Sequence, residues 1–255
     1  MNVSAIQLIK TDSDNDPNII KTECGWVKKH KYDNICIMIL ENLLNKLAIN
    51  IHKYFKNTRV MAENLRSPNS LFFGFIAKRL MLVSNQKVIE DSVQRLDIKS
   101  ADKILEIGSG NGQALIEILK KNPKQINVIE ISPIFRNDLK KKFGSKIELY
   151  DNDAKNLKGI INNSSIDKIL LINVIYFLNA LDLYLKEFKR VLKKDGTIFI
   201  AGKFEAVKTF DDDVFQNKKI TDLLKILKKF FKVSYEFVDL GDLNSRYYAI
   251  YLKIN

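Results

Sequence analysis

The run Lys103-Ile104-Leu105-Glu106-Ile107-Gly108-Ser109-Gly110-Asn111-Gly112-Gln113 constrains this chain more than any other segment, because an apolar β-type stretch breaks into a glycine turn that opens a helical pattern. Glycines at 108, 110 and 112 follow a G-x-G-x-G spacing, in which residues without a Cβ let the backbone turn tightly and bring its N–H groups to a ligand. A dinucleotide fingerprint places its last small residue at 113, for close helix–strand packing, and this chain has Gln113 there. The β-type stretch also carries an acid, Glu106, two residues before the first glycine. A carboxylate at that point repels a pyrophosphate and pairs with a cationic ligand.

With 255 residues and 46% apolar content the chain has enough material for one α/β core and an extension. The net charge of +12 raises the question of a nucleic-acid partner, so its distribution matters. Residues 1–100 hold 15 basic against 10 acidic side chains and the remainder 27 against 20, a spread excess that reads as a lysine-rich solvated surface. Cys24 and Cys36 have neither a C-x-x-C spacing nor a companion pair, which indicates no disulfide framework, no metal site and a reducing compartment. Lys10 precedes the acids Asp12, Asp14 and Asp16, the wrong order for a secretory signal, and the apolar run Ile35 to Leu40 is far too short to span a bilayer. These features predict a soluble, cytoplasmic protein with no membrane span.

The polar stretch 1–30 reads as a poorly ordered leader or loose cap. Apolar spacing predicts a helix from Ile35 to Tyr54, and Ser67-Pro68-Asn69-Ser70 then stops one element and starts another. From Leu71 to Leu96 the rhythm is again helical, with an interruption expected at Ser84-Asn85. Beyond Asp102, short β-branched runs alternate with amphipathic segments, the pattern of a doubly wound α/β sheet. The strands are expected at 103–107, 125–131, 147–150, 167–172 and 197–201. Helices fall near 112–121, 133–143, 179–193 and 214–232, and an antiparallel hairpin of Val233–Val238 with Tyr247–Lys253 follows. The expected fold is thus a mostly parallel seven-stranded sheet with an antiparallel C-terminal hairpin, preceded by a helical N-terminal extension. The expected division is 1–66 as a partly helical extension, 67–100 as a helical lead-in or lid, and 101–255 as the Rossmann-like core.

In such a sheet, ligands sit at the carboxyl ends of the strands, so the strand tips select the candidate residues. The first tip carries Glu106 and the glycine turn, with Gly108, Ser109 and Gly110 closest to it. The second carries Glu130-Ile131, twenty residues past Gly110, the separation at which an acid accepts from both ribose hydroxyls of an adenosine. Asp153-Ala154 follows the third strand, where an acceptor side chain meets an exocyclic amino group, with Asp151 as the competing candidate. Asn173 closes the fourth strand, beside Tyr176 and Phe177, where it can orient a ligand or simply cap the next turn.

Four segments, Ile104 to Gly112, Glu130-Ile131-Ser132-Pro133, Asn152-Asp153-Ala154 with Leu157, and Arg190 to Gly196, make residues 68–202 resemble the class I S-adenosylmethionine-dependent methyltransferases of the type 11 small-molecule group. The resemblance implies that Glu106 and Gly108 to Gly110 contact the methionine part of S-adenosylmethionine, Glu130 the ribose and Asp153 the adenine, and Ile131, Ala154 and Asn173 are further candidate cofactor-binding residues at the same strand tips. The chain departs from the family in having Lys194-Asp195-Gly196 where Pro-Gly-Gly is usual, and Glu130 where Asp is commoner. The resemblance does not reach residues 1–60.

Methyl transfer from a sulfonium is an in-line displacement in which the protein chiefly supplies position, so the scarcity of histidine (His30 and His52) is no obstacle. Asn173 and Tyr176 are the candidates for positioning the acceptor. Asn173-Val174-Ile175-Tyr176 keeps the ends of the N-P-P-Y motif of amino-methylating enzymes but lacks both prolines, which fix the amine-accepting carbonyl. The expected reaction is therefore methylation of a small-molecule acceptor, giving S-adenosylhomocysteine. The alternatives are an RNA, DNA or protein acceptor and a non-catalytic cofactor-binding scaffold.

Overall fold

The computed structural model describes residues 19–22 and 25–254, with side chains described at Asn34 and 36–254. The chain divides into two units, Met1–Leu47 and Ala48–Asn255. In the first, β1 (Ile19–Thr22) pairs antiparallel with β2 (Gly25–Lys28), and α1 (Lys29–Phe55) begins directly after it. The stretch expected as a loose leader thus contains a hairpin, since two short runs with β-branched residues, Ile19-Ile20-Lys21-Thr22 and Gly25-Trp26-Val27-Lys28, lie two residues apart and can close on each other. The His30 side chain lies outside the described residues.

The second unit starts within α1 and continues through α2 (Arg59–Arg66) and α3 (Leu71–Arg95). The stop-and-start cluster works through one backbone cap and one side-chain cap. The backbone N–H of Ser67 closes α2 on the Glu63 carbonyl, and the Ser70 hydroxyl accepts from the Phe73 and Gly74 N–H groups at the start of α3. No break occurs at Ser84-Asn85. Ser84 bonds its hydroxyl back to the Leu80 carbonyl at 2.6 Å, which lets a serine sit inside a helix without competing for its ladder.

Then come β3 (Lys103–Ile107), α4 (Gln113–Lys120), β4 (Gln125–Ile129), α5 (Pro133–Phe143), β5 (Glu148–Tyr150), β6 (Ile166–Ile172), α6 (Leu181–Val191), β7 (Leu192–Gly202), α7 (Phe204–Val207), α8 (Ile220–Leu227), β8 (Lys232–Asp239) and β9 (Arg246–Lys253). Seven of these strands form one sheet in the order β5-β4-β3-β6-β7-β9-β8, parallel from β5 to β7 and antiparallel at β9 and β8. The expected mostly parallel sheet with an antiparallel C-terminal hairpin is what forms.

Alternation along the strands builds a core on each face. Leu105, Ile169, Leu171, Ile198, Ile200, Ile250 and Leu252 pack with Leu185 and Phe188 of α6 and Leu223 and Leu227 of α8. Their neighbours Ile104, Leu170, Phe199, Ala201 and Ala249 pack on the opposite face with Val88 and Val93 of α3, Leu115 and Ile118 of α4, and Leu139 of α5. The sheet is thereby covered on both sides and holds its strand tips rigidly.

One expected boundary differs. Lys193-Lys194-Asp195-Gly196 looks like a basic helix end with a glycine exit, yet β7 begins at Leu192, which pairs with Ile166 across an irregularity in the β6 ladder. Lys193 instead pairs with Asp167 at 2.7 Å, and a Cβ on Gly196 would stand 2.6 Å from the Leu192 side chain and 3.0 Å from the Asp167 carbonyl oxygen. The glycine is there for close strand contact rather than for a helix cap.

Candidate functional site

Between β3 and β6 the direction of strand addition reverses, since the chain proceeds from β3 to β4 and β5 on one side and then crosses to β6 and β7 on the other. The turns leaving the two strands diverge there and open a crevice. Glu106, Gly108, Ser109, Gly110, Glu130, Ile131, Asp153, Ala154 and Asn173 all line it. Tyr176 does not, and it borders a neighbouring cavity instead.

Gly108, Gly110 and Gly112 have φ of 70°, 54° and 75°, the left-handed region in which a Cβ costs energy. What a Cβ would meet differs among them. At Gly108 it would stand 2.6 Å from Val174 and at Gly112 2.5 Å from the Phe143 ring, whereas at Gly110 nothing lies nearer than 4.0 Å. Gly110 is therefore the glycine whose missing side chain leaves room in the crevice. The turn does not hold its glycine N–H groups free. Gly108 donates to the Ile129 carbonyl at 2.8 Å, Gly112 to the Ser109 carbonyl at 2.9 Å, and Gly110 to the Glu130 carboxylate at 2.8 Å.

Glu130 is buried, and its second oxygen accepts from the Ser132 N–H at 2.8 Å, so the acid braces the glycine turn against the start of α5. Burial raises its pKa above the usual carboxylate value, and the hydrogen bonds from Ser132 and Gly110 work against that rise. Glu106 is also buried, accepts from the Ser109 hydroxyl, and is paired with no cation among the described residues. Burial, opposed by the Ser109 hydrogen bond and aided by the nearby Glu130, pushes its pKa up to about 7. Asp153 behaves oppositely. Burial works against its ionised form, but the hydroxyl of Tyr184 and the Lys155 backbone and side chain hold it below the ordinary value.

Asn173, at φ 54°, occupies a left-handed conformation that asparagine tolerates better than most residues. Its amide donates to Asn85 of α3 at 3.2 Å, and its carbonyl accepts from the Tyr176 hydroxyl and the Lys203 N–H, both at 3.3 Å. The Lys203 ammonium, on a residue only 8% exposed, donates to the Ser84 carbonyl and to Asn85 Oδ1, the latter at 2.9 Å. Burial lowers its pKa to about 8. Gln113 donates to the Leu82 carbonyl and to Gln86, both at 3.1 Å, tying the start of α4 to α3.

Sequence reasoning missed Lys203, Asn85 and the bracing role of Glu130. Lys203 follows directly on β7, so the strand-tip rule, applied to the fifth strand as to the first four, selects it. Asn85 enters the sequence reading only as part of an expected break in the helix, and its role arises only where the unbroken α3 crosses the strand ends.

Residues 105–200 match the protein family described as a methyltransferase domain. Over 50 residues, 20% of this chain, the sequence is 48% identical to the ribosomal RNA small subunit methyltransferase A of Persephonella marina, of whose length it spans 19%. Among solved structures, a methyltransferase of Haloferax volcanii in complex with the activator Trm112 aligns with a TM-score of 0.54 at 13% identity, covering 70% of this chain and 93% of that one. The trans-methyltransferase CalH, solved with S-adenosylhomocysteine, aligns with a TM-score of 0.54 at 16% identity, covering 72% and 61%. At these identities the structural likeness is one of fold. Among the described residues, no helix is long and apolar enough to cross a membrane. The glycine turn, the reversal point and the strand-tip acids all fall inside residues 105–200, the segment that matches the methyltransferase-domain family.

Proposed function

We propose that this domain transfers a methyl group from S-adenosylmethionine to a small-molecule acceptor. The observation that carries the reading is the buried, cation-free carboxyl of Glu106 beside the buried Glu130, at the reversal point of the sheet. Burying an acid without a positive partner costs free energy, and a ligand bringing its own ammonium and sulfonium charges offsets that cost. The remaining residues fit the same ligand. Gly110 leaves open space, and the Nδ2 of the crevice residue Asn111 is buried with no hydrogen-bond partner.

In this reading Glu106 and the turn Gly108 to Gly110 hold the methionine part, Glu130 accepts from the ribose with Ile131 beside it, and Asp153 with Ala154 meets the adenine. Bound there, the cofactor supplies an electrophilic methyl group. The chain itself supplies alignment, with Asn173 fixing the floor of the crevice through its three partners and Tyr176 holding Asn173 in place. Titration calorimetry with S-adenosylhomocysteine tests the reading, which stands on saturable 1:1 binding to the wild type and falls if neither it nor S-adenosylmethionine binds.

A nucleic-acid acceptor is the second reading, favoured by the 50-residue similarity to a ribosomal RNA methyltransferase. Against it, Tyr176 is 1% exposed and bonded to Asn173, so its ring offers no face for a base to stack on. RNA affinity that falls steeply with salt would support this second reading over a small-molecule acceptor.

A further inference from the structure

A second cavity adjoins the crevice, and Leu65, Met81, Asn85, Asn173 and Phe177 line both. Its walls are mostly apolar, with Tyr176, Phe210 and Phe215 among them, and its ionisable lining consists of Lys203, Lys56, His52 and Tyr176 with no carboxylate. Tyr176 packs edge-on against Phe204 and stays protonated, because burial pushes its hydroxyl pKa upward. His52 rests edge-on against Phe210, and burial followed by the neighbouring Lys56 lowers its pKa, so it is uncharged at neutral pH.

Lys203 is the unusual group. It is nearly buried, no ion pair holds it among the described residues, and its two acceptors are a backbone carbonyl and an amide oxygen. Two of its three protons are thereby placed and one is left for a partner. Asp242, itself paired with Lys87, offsets the burial of this ammonium only in part, and the cavity that it lines is where a closer counter-ion can enter.

We infer that this second cavity is the acceptor subsite, and that it takes a flat apolar molecule bearing one anionic oxygen, which Lys203 holds beside Asn173. The inference rests on the methyltransferase reading above and names its substrate class. It also removes the need for a protein base. An acceptor that enters as the anion has already given its proton to solvent, so the oxygen lone pair forms the new bond to the methyl carbon. The carbon–sulfur bond breaks as that bond forms, its electron pair stays on sulfur, and the charges of anion and sulfonium cancel.

The test uses three probes sharing one apolar body, 2-naphthoate, naphthalene-2-methanol and 2-naphthylmethylammonium. Each is titrated calorimetrically into the full chain with and without saturating S-adenosylhomocysteine. The proposal expects the anion to bind about tenfold or more tightly than the neutral alcohol, and the ammonium most weakly, the range for a hydrogen bond to a charged group. Lys203→Met should erase the difference between anion and alcohol, and Lys203→Arg should retain part of it. Ala206→Trp, at an exposed position on the cavity wall, should weaken all three probes by narrowing the space, and it serves if Lys203→Met does not fold. Equal affinities for the three probes, an anion preference that survives Lys203→Met, or wild-type probe affinity in Ala206→Trp overturns the proposal. Naphthoate binding that responds to Lys203→Met in a protein that ignores S-adenosylhomocysteine would instead uphold the anion site and sink the methyltransferase reading, so the two failures are separable.

Discussion

Replacing Glu106 by glutamine should make the protein more stable and worse at binding its cofactor at the same time. Glu106 is 3% exposed, and its carboxyl, ordinarily at 4.5, is raised to about 7 chiefly by burial. A group whose folded-state pKa lies above its unfolded one adds stability that is complete below the unfolded value and is lost as pH rises through the folded value. For Glu106 that window runs from 4.5 to about 7. Above it the folded protein carries a buried charge at a cost of roughly 3 kcal/mol, from about 1.4 kcal/mol per tenfold change in proton affinity. Glutamine keeps a carbonyl oxygen to accept from Ser109 and carries no charge, so it recovers most of that cost. For a unit of this size each kcal/mol moves Tm by about 2–4 °C, so Glu106→Gln should melt roughly 5–10 °C above the wild type at pH 8. The gap should close towards pH 4.5. Differential scanning calorimetry of both proteins from pH 4.5 to 8.5 measures it, and calorimetric titration with S-adenosylmethionine at pH 8 should show affinity reduced by about tenfold or more. A variant that melts below the wild type at pH 8, or a gap that does not change with pH, refutes the argument that Glu106 is a strained, cation-seeking acid.

Glu130→Gln should do the reverse to stability. Both carboxylate oxygens accept backbone N–H groups, an amide nitrogen can accept neither, and one buried donor is left unpaired at a cost of about 1–3 kcal/mol, read as a lower Tm together with weaker S-adenosylhomocysteine binding. Gly110→Ala and Gly112→Ala should separate binding from folding. The first places a methyl in open crevice, with roughly 1–2 kcal/mol of left-handed strain, and should fold but lose most cofactor affinity in calorimetry. The second drives a Cβ to within 2.5 Å of Phe143 and 2.7 Å of Leu139, and should lower Tm well beyond the strain term alone. Gln113→Ala should lose about 1 kcal/mol by removing two hydrogen bonds between α4 and α3, seen as a small drop in Tm with cofactor affinity nearly unchanged.

What could be read from the sequence was whatever local chemistry determines by itself. Ser70 caps α3, Pro133 opens α5, and the β-branched and aromatic runs at 103–107 and 246–253 take strand conformation, because each depends on residues only a few positions away. The strand-tip rule reached further, since any parallel sheet built from those runs carries Glu106, Glu130, Asp153 and Asn173 to one edge, and all four line one crevice. It failed where a side chain's partner lies on an element whose approach the sequence does not specify. The twenty-residue spacing from Gly110 to Glu130 is the same whether the acid faces a ribose or braces the turn by accepting from the Gly110 and Ser132 N–H groups, as it does here. Lys203 shows the limit most clearly. In a chain with 42 basic residues it is indistinguishable from a surface lysine until α3 lays Ser84 and Asn85 across the end of β7 and excludes water from its ammonium. The carboxylate-rich crevice and the carboxylate-free cavity then meet at Asn173 and Asn85, one suited to a cation and the other to an anion. On the proposed reading, opposite charge preferences in two adjoining cavities suit a displacement between a sulfonium and an anionic oxygen, because attraction brings the two reactants together where the cavities meet before any bond changes.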